Sequence, residues 1–457
     1  MSGIIDAHCH FFNGEYLVDE LMAAGIDALQ GQYPMHDDRQ PLAEPTKGLL
    51  PDLSTWKALI RYAAGVLVAT ADTCAENWVC EMHEYSDSAL KVGALRTVPL
   101  MMDIYYIAAA ECPRRGAAPS RGLALEEPGA QAQDAADSLK QEILDALVDH
   151  PAMAGLSDEQ RSDRTSEIAD QLDRAIAEHQ AEAAGSDKDE RGVVWAEHAP
   201  LRATGLTTAG LRLSPGYRKH MTDLMRLSAA HPGQVFPFLA VDPRRPGIVE
   251  FAKQQVGPKG PFFGVKVYPP LGYLPDDPEL QEIYSHCLEH DLPITVHTQI
   301  SSFGNPVPGG DAQAKKYANP KFWTEYLKDD KHKALRLNFG HFGGYEMLQD
   351  YVYGTNHCGD DNWTRTIVEY MTQYPNVYAD VSAYAEPDAG KLVHDLFAMP
   401  DLPAEVRDRL MFGTDFVICM FHKELAGHLA SYFSHYQPVS AEAKFLNDNA
   451  ARFLKLG

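Results

Sequence analysis

Cysteine is scarce and unpaired in this chain: there are seven in 457 residues, and no two stand as Cys-x-x-Cys. That excludes a disulfide framework, which a chain long enough to bury a large core does not need. Basic charge is short as well. The formal net charge of -24 excludes nucleic acid and anionic membrane as expected partners, since both demand a basic face that releases counterions from phosphate. No uninterrupted apolar run reaches the roughly 18 residues that cross a bilayer, and no basic n-region with an apolar h-region precedes the first strand. These absences predict a soluble cytoplasmic protein that acts on a small molecule.

What is present is ordinary globular material, with 45% apolar and 23% charged residues, close to the average for packed domains. The acidity is concentrated: residues 121–200 hold 19 Asp and Glu against seven Lys and Arg, so net charge says little about a pocket elsewhere. Short runs rich in Val, Ile and Phe alternate with helical stretches, the pattern of parallel strands joined by crossover helices. The candidate strands are 3–10, 96–104, 235–242, 262–268, 292–297, 334–341, 376–381 and 410–415, with 65–70 competing for the second place. Eight strands in this alternation predict an α/β fold, a closed (β/α)8 TIM barrel with its site at the C-terminal strand ends.

The expectation is a single domain over 1–457, closed by a helix around 441–455 and carrying a long helical insertion at about 105–233. Two amphipathic stripes mark that insertion, one on Leu139, Ile143, Leu144, Leu147 and Val148 and a thinner one on Ile168, Leu172 and Ile176, ending near Gly185. Its Ala, Gln, Asp and Glu content favours an exposed helical pair: a lid, an arm for a homodimer, or a solvated appendage.

The chemistry gathers at strand ends. Asp6-Ala7-His8-Cys9-His10 ends the first strand, and side chains alternate across a strand, so His8 and His10 share a face. Further on, His297 ends Ile-Thr-Val-His, His341 lies in Phe-Gly-His-Phe-Gly-Gly, and Asp415 closes Phe-Gly-Thr-Asp. In a closed barrel all of them meet at one mouth, imidazole nitrogens plus a carboxylate around an open position, as in a catalytic metal site. A metal-free binding or scaffold barrel is the reading if the histidines are simply satisfied by backbone groups.

Those motifs, in that order, resemble the amidohydrolase superfamily, and more narrowly the amidohydrolase-related (amidohydrolase 2) branch that includes aminocarboxymuconate-semialdehyde decarboxylase. The segments Gly264-Val265-Lys266-Val267-Tyr268-Pro269, His341-Phe342-Gly343-Gly344 and Asn449-Ala450 are similar to that branch too. The resemblance spans the strands but leaves the insertion and residues 14–90 unmatched. It implies one divalent metal on His8, His10, His297 and Asp415, zinc first and manganese or iron next, with His341 and Asp415 as catalytic groups. It implies a hydrolase of a C–N or ester bond that uses metal-activated water, Asp415 taking the proton; the rival is a non-oxidative decarboxylase of a small aromatic or muconate-type acid.

Lys266 has three readings. It could be carboxylated and bridge two metals as in binuclear members of the superfamily, touch substrate, or serve structure; a single metal is the expectation. Tyr268 and Phe342 are expected to line the pocket wall. Arg244 and Arg245 follow the third strand in Val-Asp-Pro-Arg-Arg-Pro, where solvent exposure is the plain expectation, yet Arg244 or Arg336 could meet a substrate carboxylate. Cys74, Cys80 and His83 match no common zinc spacing. His286 and His290 lie one helical turn apart near a helix C-terminus, which the helix dipole favours without any metal.

Overall fold

The computed structural model describes residues 3–11, 95–104, 157–186, 213–300, 310–359, 361–384, 386–416 and 444–456, with single positions at 16, 20 and 78 and several between 136 and 145. Eight strands follow one another along these residues: β1 (Ile4–Cys9), β2 (Leu95–Pro99), β3 (Phe238–Ala240), β4 (Gly264–Val267), β5 (Pro293–Gln299), β6 (Arg336–Gly343), β7 (Val377–Val381) and β8 (Leu410–Phe412). Each falls inside or beside an expected run; the rival segment 65–70, the Cys74, Cys80 and His83 trio and most of the first amphipathic stripe lie outside the described residues.

All ladders are parallel, β1 with β2 and then β3 through β8 in chain order. Single bridges from Thr97 to Val235 and from Leu100 to Phe238 carry the sheet from β2 to β3. On the other side the backbone N–H groups of Thr414 and Asp415 donate to the His8 carbonyl at 3.1 and 2.7 Å, and His10 N–H donates to the Phe416 carbonyl. These bonds complete a (β/α)8 barrel. Strands buried on both faces read as near-continuous apolar runs, and every residue of β6 is buried.

The helices between strands show why they form. In α4 (Pro278–His290), counted with α1 (Asp158–Ser186), α2 (Pro215–Ala230) and α3 (Ile248–Gln255), proline stands in the first turn. The Asp277 side chain accepts from Glu279 N–H there, and Leu280, Ile283, Tyr284 and Cys287 make the buried stripe. His286 spends its Nε2 on the Val256 carbonyl, 2.9 Å away. Beyond β5 come α5 (Gly310–Ala318), α6 (Trp323–Tyr326), α7 (Tyr345–Tyr353), α8 (Trp363–Gln373), α9 (Ala389–Ala398), α10 (Ala404–Arg409) and α11 (Asn449–Leu454). The last seals the barrel floor, where Phe453 packs against Tyr378 and Phe238.

Three expectations need correction. The thinner stripe of the insertion is α1, but Ile168, Leu172, Ala175 and Ile176 are buried within the main core rather than exposed; only the opposite face of α1 meets solvent. Arg244 and Arg245 are buried, not solvated. Arg244 forks onto Asp242 through Nε at 2.8 Å and Nη2 at 2.6 Å, while Arg245 forks onto Asp103 at 3.0 and 2.7 Å and lies over the Tyr217 ring. Arg336 begins β6, at the opposite end from His341, and binds Asp291 and the Phe453 carbonyl, so it is out of reach of any substrate at the strand C-termini.

The Arg245–Asp103 pair ties the ends of β2 and β3, and removing one member of a buried pair strands the other charge. Arg245→Met should cost about 3–5 kcal/mol in urea unfolding, and Asp103→Leu added to it should restore part of that loss; an unchanged midpoint in the single variant would contradict this role.

Candidate metal centre

Asp6 sets the frame. Buried in β1, it accepts from Thr414 N–H at 3.0 Å, from Thr414 Oγ1 at 2.6 Å and from Trp78 Nε1 at 2.9 Å. It therefore straps β1 to the end of β8, and burial pushes its carboxyl up to about 7. Beside it the His8 ring sits in a space that only glycines allow. A Cβ at Gly340 would meet His8 Cε1 at 2.9 Å, and one at Gly413 would meet His8 Cβ at 2.9 Å.

Hydrogen-bond partners decide which nitrogen of each imidazole carries the proton. His8 Nδ1 faces both oxygens of Asp380, at 3.1 and 3.0 Å, and His10 Nδ1 faces the Leu100 carbonyl at 2.7 Å. Both partners accept only, so Nδ1 is the protonated nitrogen and the lone pair lies on Nε2. Those two Nε2 atoms stand 3.5 and 3.1 Å from Asp415 Oδ1, a buried oxygen without a hydrogen-bond partner among the described residues. Two lone pairs and a carboxylate oxygen thus converge with no proton between them. A cation resolves that arrangement, and Lys266 Nζ, 3.3 Å from His8 Nε2, supplies the positive charge nearest to it here.

The same logic runs through the other histidines. Ser382 Oγ donates to Asp380 and so accepts from His341 Nδ1, 2.9 Å away. His341 Nε2 then accepts from His297 Nδ1 at 3.0 Å, which leaves the His297 lone pair on Nε2. Side chains of His8, His341 and Asp415 offer ligand atoms within 4.8 Å of one another, and His297 joins them through its bond to His341.

Burial lowers the proton affinity of His8 and His297 well below the usual range and brings His341 to about 3; neighbouring histidines and Lys266 add to this. Neutral imidazole is the form that binds metal. Burial also lowers Lys266 to about 8, opposed by Asp380 and Asp415. Strain marks the same place: His341, Phe342 and Asp415 hold φ of 65°, 49° and 54°, a region that costs a non-glycine residue about 1–3 kcal/mol. Tyr384 Oη donating to the His341 carbonyl at 3.0 Å helps hold that turn.

A cavity of about 260 Å³, its open mouth included, adjoins the site. Its walls are Met101, Met102, Asp103, Ala240, Val241, Asp242, Lys266, Tyr268, Leu271 and Tyr273. Tyr268 lies in this wall, its ring 4.4 Å from that of His297. Phe342 does not: it is buried in the core, with its backbone in the left-handed region. Arg244 reaches the cavity only through its partner Asp242.

Asp380 and Ser382 escaped notice in the sequence. Their signal is Val-Tyr-Ala-Asp-Val-Ser, in which two polar residues at alternate positions share the inner face of an apolar strand.

The barrel brings strand-end histidines and a carboxylate together as a candidate metal site. Residues 5–456 match the amidohydrolase family, and the chain belongs to it. No curated protein matches the sequence. Among solved structures the chain is similar to an uncharacterised TIM-barrel protein from Bordetella bronchiseptica, at 19% identity over 51% of this chain and 71% of that one, with a TM-score of 0.35. It is also similar to 2,6-dihydroxybenzoate decarboxylase from Rhizobium, at 18% identity, 52% and 77% coverage and a TM-score of 0.37. A third is 5-carboxyvanillate decarboxylase from Novosphingobium aromaticivorans with bound manganese, at 17% identity, 52% and 70% coverage and a TM-score of 0.37.

If Asp380 sets the His8 tautomer, Asp380→Asn should weaken metal binding about 10- to 100-fold in a chelator competition, with the far-ultraviolet circular dichroism unchanged. Wild-type affinity in that variant would remove Asp380 from the site.

Proposed function

We propose that this protein is a metal-dependent, non-oxidative decarboxylase of a small, flat carboxylic acid. The observation that carries this reading is Lys266. Its ammonium group is buried in the cavity wall next to the histidines and makes no ion pair within 4 Å among the described residues. The two carboxylates of the same wall, Asp103 and Asp242, are each neutralised by a forked arginine. A buried cation beside Met101, Met102, Leu271 and two tyrosines calls for an anionic ligand with an apolar, planar body.

Residues for one divalent ion are present, with a lone pair on Nε2 of His8, His10 and His297 and the unengaged Oδ1 of Asp415; zinc suits this set, with manganese and iron next. When bound, the ion supplies a Lewis acid that holds substrate oxygens and spreads their charge. Lys266 pairs with the substrate carboxylate. As the bond from carbon to that carboxylate breaks, CO2 leaves and the electron pair stays on carbon, which takes a proton from solvent, with the Asp415 carboxylate placed to relay it. His341, neutral and held between Ser382 and His297, donates no charge but orients the ring of His297. The free thiols of Cys9 and Cys287 suit a reducing cytoplasm.

Hydrolysis is the second reading, because Asp415 could equally take a proton from water. Turnover of a panel of aromatic and unsaturated acids in H2(18)O separates the two. Decarboxylation predicts CO2 and no label in the organic product, and Lys266→Met should lower kcat/KM about 10- to 100-fold. Label in the product without CO2 would establish the hydrolase instead.

A further inference from the structure

Beyond β4 the chain reads Tyr268-Pro269-Pro270-Leu271-Gly272-Tyr273. Proline fixes its own φ at about −65°, and here two of them start a single 3-10 turn over Pro269–Leu271, closed by Gly272 N–H donating to the Pro269 carbonyl at 2.7 Å. Gly272 has φ 101°, in the left-handed region that glycine enters without strain. The turn doubles the chain back. It returns the Tyr273 hydroxyl to the end of β4, where Oη accepts from the Tyr268 backbone N–H at 2.5 Å.

That bond uses a lone pair of the phenol oxygen and leaves its proton unspent. No acceptor for the proton stands within hydrogen-bond distance among the described residues, although the side chain is buried and lines the cavity together with Lys266 and Tyr268. The carboxylates of the same wall are already engaged, both oxygens of Asp242 by Arg244 and both of Asp103 by Arg245. An unmatched buried donor is costly, and a rigid turn holds this one in place. Burial keeps the phenol protonated; Asp242 and Asp103 add to that effect and Arg244 opposes it.

We propose that Tyr273 is a specificity-determining residue that donates this hydrogen bond to a neutral oxygen of the substrate, a carbonyl, hydroxyl or ether group carried besides the carboxylate that pairs with Lys266. A neutral acceptor fits and a second anion does not, because Asp242 and Asp103 lie within electrostatic range of the phenol. Lys266 and Tyr273 belong to one segment, β4 and the turn that follows it. The charged and neutral ends of the substrate are therefore read by a single rigid piece of chain, and a ligand without the second oxygen leaves the buried donor unmatched. The inference rests on the reading of Lys266 as the carboxylate partner.

The test compares wild-type protein supplemented with Zn2+ with Tyr273→Phe in calorimetric binding of benzoate and of the three methoxybenzoates, whose ether oxygen accepts a hydrogen bond and cannot donate one. The readout is the ratio of each methoxybenzoate's affinity to that of benzoate within one protein, because a general disturbance of the turn weakens both ligands alike. In wild type at least one isomer should bind about tenfold more tightly than benzoate, and Tyr273→Phe should bring that ratio to about one. No isomer preferred over benzoate in wild type, or a preference that survives in Tyr273→Phe, would overturn the role. Benzoate bound equally well by wild type and Lys266→Met, or by neither, would instead overturn the pairing of Lys266 with a carboxylate, and this inference with it.

Discussion

The carbonyl of His8 accepts two backbone N–H groups from the turn after β8, and most of the site depends on that junction. The same bonds that complete the barrel deliver Asp415 to the histidines of β1, so ring closure and site assembly are one event. Asp6 doubles the junction through Thr414, and the left-handed turn at Asp415 is affordable because these contacts over-determine it.

From that junction outward the site is a set of acceptors that dictate tautomers. Asp380 and the Leu100 carbonyl take the Nδ1 protons of His8 and His10, and a chain from Asp380 through Ser382 and His341 does the same for His297. Burial keeps the rings neutral, so nitrogen lone pairs and a carboxylate oxygen collect with few protons among them. Such a cluster is costly to bury alone, and the cost is met by a positive charge. Lys266 holds a positive charge on the cavity side of that cluster, which is what ties the proposed metal to the proposed anionic substrate.

Much of this was legible in the sequence. Strand periodicity located all eight strands because parallel barrel strands are long apolar runs, and His8, His10, His297, His341 and Asp415 stood out as polar residues at their ends. The residues that aim them did not. Asp380 lies inside a strand, where a lone Asp reads as an interruption, and its value comes from contact with His8, 372 positions away. Arg244 and Arg245 were misread because a Pro-flanked arginine pair looks solvated, whereas Asp103 and Asp242 make burial tolerable. Phe342 was expected in the pocket wall, but it is buried in the core beside a left-handed turn at His341 and Phe342 that strand periodicity does not reveal.

Metal content and position test the account most directly. Protein purified without chelators should carry one divalent ion per chain, and anomalous diffraction at that metal's edge should place it between His8, His10 and Asp415. Metal-free protein after purification and zinc or manganese supplementation, or an ion bound away from these three side chains, would contradict the account.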